Sequence, residues 1–391
     1  MALDMSSGSL SWLVPFFFGQ AVFLWLFVLL LLGTTAQATT KRVLGLVVLG
    51  AVTYFQEYLI VQICLARNRP LWAGTAGSLL WVQLLSASDL LLALRVDSSQ
   101  LPPGQTSSTH AAGLLWSMRR IGTRWQVKTA AAASQQSRAG FVFSRAATTL
   151  GVYLFVDFLV SMPPPDPSLI QISKATLFSL HELHTEDVIF RVSMTIAYWV
   201  STGVLVLFMN NLGAIVVVLL NISQPEDCIP LFGSFLDAFT VRRFWGVTWH
   251  QMFRSFLTGH ADLVVDNFLP FLPRHSLISR YTRLAIAFFI SGAIHYRADQ
   301  LMGVPNNENG AIIFFMLHAL VIMAEDTIAP VVSAVLPLSI RRILGLFWVL
   351  IFFVWSTPIW SYANTRVGND AASLLPVRLI GPWAAQYLNA T

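Results

Sequence analysis

The chain of 391 residues is 55% hydrophobic and only 11% charged, with a mean hydropathy of +0.65 and a formal charge of +5. A soluble domain carries roughly 25% charged residues, so lipid must be the solvent for much of this surface. Two cysteines, Cys64 and Cys228, give no disulfide framework and no cysteine-based metal site, and the positive charge is not gathered into a nucleic-acid patch.

A bilayer is crossed by about 20 apolar residues. Hydropathy predicts eight such helices, over 12–33, 43–64, 72–94, 141–162, 192–220, 284–303, 311–333 and 343–361. The first has no Lys or Arg before it and exceeds the length of a cleaved signal, so it is expected to remain in the mature protein. The fifth is long enough to tilt, or to break near Asn210-Asn211-Leu212-Gly213. The result is an all-α, polytopic membrane bundle forming one domain over 1–391.

The positive-inside rule orients it. With the amino end in the lumen, most of the 24 Lys and Arg fall in cytosolic loops: Lys41 and Arg42; Arg95, Arg119, Arg120, Arg124, Lys128, Arg138 and Arg145; Arg242, Arg243, Arg254, Arg274, Arg280 and Arg283; Arg341 and Arg342. Both termini are then lumenal, as are Glu182, Glu186 and Asp187. Two cytosolic regions stand out, a basic loop at 95–140 and a longer stretch at 222–283. Within the first, 113–133 reads either as an interfacial helix turning Leu114, Leu115, Trp116, Met118 and Trp125 to lipid, or as a basic loop without fixed structure.

Ionisable groups inside a membrane are costly and often functional. Here they are Glu57, Asp89, Asp157, His295 and His318, with Glu325 and Asp326 near a helix end. Two segments concentrate chemistry. In 241–254, four aromatics, a histidine and three arginines occur together. Read as one interfacial helix, Trp245, Trp249, Met252, Phe253 and Phe256 share one face, and Arg243, Val247, His250 and Arg254 another. Arginine suits phosphate because its planar fork donates two hydrogen bonds at once. An ordinary amphipathic surface helix would look similar. In 285–295, Ser291, Gly292 and His295 share a face by i+3 and i+4 spacing. The small residues permit close packing or leave room for a substrate beside the imidazole, and Asp299 follows one turn on.

Together, Phe244-Trp245-Gly246-x-x-Trp249-His250-Gln251 and Ser291-Gly292-x-x-His295 resemble the wax-synthase-like branch of the membrane-bound O-acyltransferases, including fungal members that acylate secondary metabolites such as terpenoids. The resemblance implies that His295 is the catalytic histidine and that His250 holds a place where Asn or His is common. It implies acyl-CoA, with acetyl-CoA favoured, as co-substrate entering from the cytosolic side. The acceptor would be a lipophilic alcohol of terpenoid type, in the endoplasmic reticulum membrane, with no bound cofactor and no metal. A hydroxyl attacks a thioester poorly without a general base, the role assigned to His295. The oxyanion needs a donor, for which His250 is the candidate. Trp245, Trp249, Ser291 and Gly292 would shape the substrate pocket, and Arg242, Arg243 and Arg254 would meet CoA phosphates. No Gly-x-Ser-x-Gly elbow is present, which favours direct transfer.

Other readings compete. A long-chain wax-ester synthase would differ in acyl length. A terpene cyclase would use Glu57, Asp89 or Asp157 as a proton donor. A transporter would bring inverted repeats, and none is visible. His181-Glu182-Leu183-His184 lacks the His-Glu-x-x-His spacing of zinc hydrolases.

Overall fold

The computed structural model describes residues 13–101, 107–127 and 135–381. Residue 12, Lys128 and the end of the 113–133 stretch lie outside them. Among the described residues, eight helices are long and apolar enough to cross a membrane, and no strand occurs. The chain divides into two units, Met1–Arg120 with Met252–Asn306, and Ile121–Gln251 with Asn307–Thr391. Each contains four of the eight spans.

The first unit comprises α1 (Leu13–Gly33), α2 (Thr39–Ala66), α3 (Pro70–Ser88), α4 (Ser107–Trp116), α8 (Arg254–Phe268) and α9 (Leu277–Leu301). Pro70 opens α3, where a missing N–H costs nothing. The helix continues into a wider turn, Asp89–Ala93. Gly74 lets α3 approach α9 closely: a Cβ there would stand 2.7 Å from the carbonyl oxygen of Ala298. Val82, Phe256 and Ile294 form a shared core, joined by Leu85, Met118, Phe253, Leu257 and Ile290.

Buried charges tie these helices together. Glu57 on α2 accepts the Trp81 indole N–H at 2.5 Å and pairs with Arg297 on α9. Asp89 pairs with Arg120 at 2.6 Å and accepts the Ser255 hydroxyl at 3.1 Å. Arg42 is fully buried and donates to the carbonyls of Leu91 and Val96, both at 2.8 Å. Arg42 and Arg120 therefore satisfy polar groups inside the unit, so their charge is weak evidence for topology. The interfacial reading of 113–133 is also corrected. The helix there is α4, ending at Trp116, and Leu114, Leu115 and Met118 pack inward, leaving Trp116 exposed.

The second unit comprises α5 (Arg138–Leu159), α6 (Thr185–Leu219), α7 (Val241–Arg243), α10 (Ala311–Val335), α11 (Leu338–Ser356) and α12 (Pro358–Arg366). Helix α6 is unbroken at Asn210-Asn211-Leu212-Gly213. Arg145 on α5 donates to Asn211 at 3.0 Å, which offsets the cost of a buried amide in mid-helix. The helix also starts earlier than hydropathy indicates, because its polar first turn is capped: the His184 side chain accepts from the backbone of the first turn, and Asp187 accepts the His184 N–H at 2.9 Å. The last predicted span, 343–361, is two helices. Pro358 cannot continue the hydrogen-bond ladder of α11, so the chain restarts as α12. Asp157 on α5 accepts the N–H groups of Leu379, Ile380 and Gly381 and pairs with Arg378, fixing the end of the described chain.

Removing Asp89 would leave the Arg120 guanidinium buried without its carboxylate. Asp89→Ala should therefore cost about 3–5 kcal/mol, seen as a lower thermal-unfolding midpoint in detergent. An unchanged midpoint would show that the pair adds nothing.

Candidate active site

The segment 241–251 is held by a carboxylate at its start. Thr240 is extended, and its hydroxyl accepts the Arg243 N–H at 3.0 Å, which begins the turn α7. The N–H groups of Val241 and Arg242 donate to the two oxygens of Glu325 on α10, at 2.7 and 3.1 Å. Glu325 also accepts the Trp348 indole N–H from α11 at 2.9 Å. The neighbouring Asp326 receives Arg242 on both oxygens, at 2.8 and 2.5 Å. Arg243 turns to Asp237, donating to its carbonyl at 2.8 Å and its carboxylate at 3.1 Å.

From Phe244 to Thr248 the turn widens. The Trp249 N–H reaches back five residues to the Phe244 carbonyl at 2.7 Å, a π-type turn of the kind often found at functional sites. Trp249 itself is extended, with φ −73° and ψ 152°. The Gln251 amide then donates to the carbonyls of Trp245 and Trp249, both at 2.7 Å. The Thr248 hydroxyl donates to the Ser234 carbonyl at 3.0 Å, and its own carbonyl accepts the Gly233 N–H at 2.9 Å.

This corrects the expectation of one interfacial helix carrying the motif. The helix stops at Thr248, and α8 starts only at Arg254. The predicted face of Trp245, Trp249, Met252, Phe253 and Phe256 does not form, because Gln251 takes the carbonyls a continuing helix would need. Glycine, two tryptophans and a glutamine in eight residues were a sign of this break that helical periodicity could not register.

Trp249 is buried, and Trp245 and His250 are half-buried. Their surroundings centre on Trp199 of α6, which sequence reasoning missed. Its ring lies 5.0 Å from Trp249, 4.9 Å from Phe353 and 5.7 Å from Phe244, and its indole donates to Thr357 at 3.0 Å. A tryptophan in the middle of a span, away from the interfacial belts where this residue collects, was the available signal. The His250 ring is 5.5 Å from Trp249 and 6.4 Å from Phe232. Deeper in the same unit His318 is fully buried. Its Nδ1 donates to the Phe314 carbonyl at 2.8 Å, and Nε2 has no hydrogen-bond partner among the described residues. The rings of Phe314, Phe352, Phe353 and Trp245 surround it at 4.1–5.5 Å.

In the first unit, Ser291, Gly292 and His295 lie on α9. Gly292 is buried, and Ser291 and His295 are half-buried. The rotation of α9 is fixed on both sides of the imidazole, by Ile294 in the shared core and by Arg297 on Glu57. Arg283 joins α9 to α8 through Asp262 and Asp266, both at 2.6 Å. Arg283, with Arg274, holds the Asp266 carboxyl below its ordinary pKa. Arg254 opens α8.

The three acids a cyclase would need are all engaged. Glu57, Asp89 and Asp157 face Arg297, Arg120 and Arg378, and accept hydrogen bonds where a cyclase needs a proton donor. His184, in the predicted His-Glu-Leu-His run, caps α6.

Residues 228–317, which contain both His250 and His295, match the Membrane bound O-acyl transferase family. The chain is 31% identical over 337 residues to the acetyltransferase pyr8 of Aspergillus fumigatus, covering 79% of this chain and 78% of that protein. It is 28% identical over 303 residues to the acetyltransferase atnC of Arthrinium sp, covering 72% and 69%. Over 380 residues it is 26% identical to the acetyltransferase cdmC of Talaromyces verruculosus, covering 91% and 89%. No solved structure matches the chain.

Glu325→Ala would strip the acceptor from two backbone amides and an indole, at about 1–3 kcal/mol for each donor left buried. Glu325→Gln keeps one carbonyl oxygen and should cost less. Thermal unfolding in detergent should rank the wild type above Gln and Gln above Ala; equal midpoints for all three would rule out the clamp.

Proposed function

This chain belongs to the membrane-bound O-acyltransferase family and is an integral membrane acyltransferase; on that premise we propose that it transfers an acetyl group from acetyl-CoA to the hydroxyl of a lipophilic, terpenoid-type alcohol at the endoplasmic reticulum membrane. The observation that carries the acetyl donor is the 31% identity, across most of both chains, to a protein named an acetyltransferase. The lipophilic acceptor is supported by the position of His295, on an apolar helix long enough to cross a bilayer and beside Gly292.

In the proposed reaction the acceptor oxygen attacks the thioester carbonyl carbon while His295 removes its proton. His250 donates a hydrogen bond to the carbonyl oxygen as it becomes an oxyanion. Collapse of the tetrahedral intermediate breaks the C–S bond, and the departing thiolate takes the proton from His295. The products are the acetate ester and free CoA, with no acyl-enzyme. Two features support His250 in this role. It follows a turn closed by Glu325 at one end and Gln251 at the other, and preorganised donors are the ones that stabilise a developing charge without reorganising.

Membranes carrying the protein should release thiol from acetyl-CoA, more readily than from palmitoyl-CoA, when a suitable alcohol is present. His295→Ala should lower this rate by at least about 10²-fold while the purified protein still elutes as a folded species. Activity that survives in the mutant would remove His295 from the mechanism. For His250, alanine should reduce turnover by about 10²–10³-fold, and His250→Asn, which still offers a donor, should retain clearly more. Equal losses in the two variants would argue against the hydrogen-bonding role.

A further inference from the structure

The arginines that the sequence offered for CoA phosphates in this unit are already occupied: Arg242 is doubly bonded to Asp326 and Arg243 is paired with Asp237. Two others in the same unit are not. Arg341 and Arg342 stand in the first turns of α11 and have no carboxylate partner among the described residues. Arg342 is exposed, and its guanidinium lies 5.8 Å from the Phe239 ring, the same ring that Arg243 covers at 4.6 Å. Arg341 is half-buried, and its Nε is a buried donor with no acceptor among the described residues. Gly345 brings α11 against this loop, where a Cβ would fall 2.1 Å from the Phe239 carbonyl oxygen.

The electrostatics of this end are unbalanced. Four guanidiniums, of Arg242, Arg243, Arg341 and Arg342, meet three carboxylates, of Asp237, Glu325 and Asp326. Those carboxylates are each engaged by other donors, Glu325 by two amides and an indole, Asp326 by Arg242 and Asp237 by Arg243. Arg341 and Arg342 also stand at the positive end of the α11 dipole, where cations are disfavoured and anions favoured, and the first turn of α11 holds no acid to offset them. A buried guanidinium N–H without an acceptor is costly, and a phosphate would satisfy it with the charge-assisted geometry to which arginine is suited.

We propose that Arg342, which shares the Phe239 ring with Arg243, and the adjoining Arg341 form a phosphate site that receives the phosphates of the CoA donor. This assignment rests on the acyl-transfer reading and supplies its donor subsite, replacing Arg242 as the phosphate ligand. The same chemistry could be met by lipid headgroups, so the test separates the two sources.

Desulfo-CoA, which cannot transfer an acyl group, is titrated into the full-length wild type and Arg341→Gln/Arg342→Gln in neutral phosphatidylcholine nanodiscs. The double variant should bind at least about tenfold more weakly, the loss expected when a charge-assisted hydrogen bond is removed. Pantetheine, which lacks phosphate, should bind both alike. Arg341→Lys/Arg342→Lys keeps the charge and should recover part of the affinity, which guards against a folding defect. Equal desulfo-CoA affinity in wild type and glutamine variant would overturn the site. A variant that keeps its CoA affinity but loses a preference for phosphatidylglycerol vesicles would assign these arginines to headgroups and overturn it equally. Because no turnover is needed, failure here is distinct from failure of the acyl-transfer assay.

Discussion

The acceptance of two backbone amides by Glu325 is the constraint on which the motif region depends. A carboxylate buried on a membrane helix is expensive unless its lone pairs are filled, and here they are filled by Val241, Arg242 and Trp348. The bond therefore works in both directions: α10 can hold a charge there only because the loop supplies donors, and the loop can begin a turn only because α10 supplies acceptors. Everything after it in 241–251, including the wide turn, the extended Trp249 and the position of His250, proceeds from that fixed start.

The eight spans were legible because lipid demands about 20 apolar residues in a row, and composition alone reports that. What hydropathy could not read was polar capping. Helix α6 begins at Thr185 because His184 and Asp187 cap it, although Thr185, Glu186 and Asp187 look like loop. It passes through Asn211 unbroken because Arg145 meets that amide from another helix. Both depend on residues distant in sequence or on side-chain geometry, neither of which enters a sliding window.

Around the motifs the residue types could be read from the sequence but the backbone could not. His250, His295, Trp245 and Trp249 were singled out as candidates by their types and spacing. The assumption that aromatics at helical intervals make a helical face failed because Gln251 intercepts the carbonyls. Charge was misread in a related way. A positive-inside count treats every arginine as exposed, yet Arg42 and Arg120 are sealed inside a helical unit, and Arg242 is neutralised by Asp326. Arg341 and Arg342 had been indistinguishable from the rest until the neighbouring carboxylates were seen to be engaged by other donors.

The ring of Trp199 touches Trp249, Trp245, Phe244, Phe314 and Phe353 at once. Residues that share a contact do not respond to substitution independently, so these six positions constitute one unit of variation. A smaller side chain at Phe353 changes what Trp199 can tolerate, and a new rotamer at Trp199 moves the indoles of Trp245 and Trp249, which precede His250 in the chain. Stepwise replacement in this cluster would thus follow a rugged path, with paired changes succeeding where each single change fails.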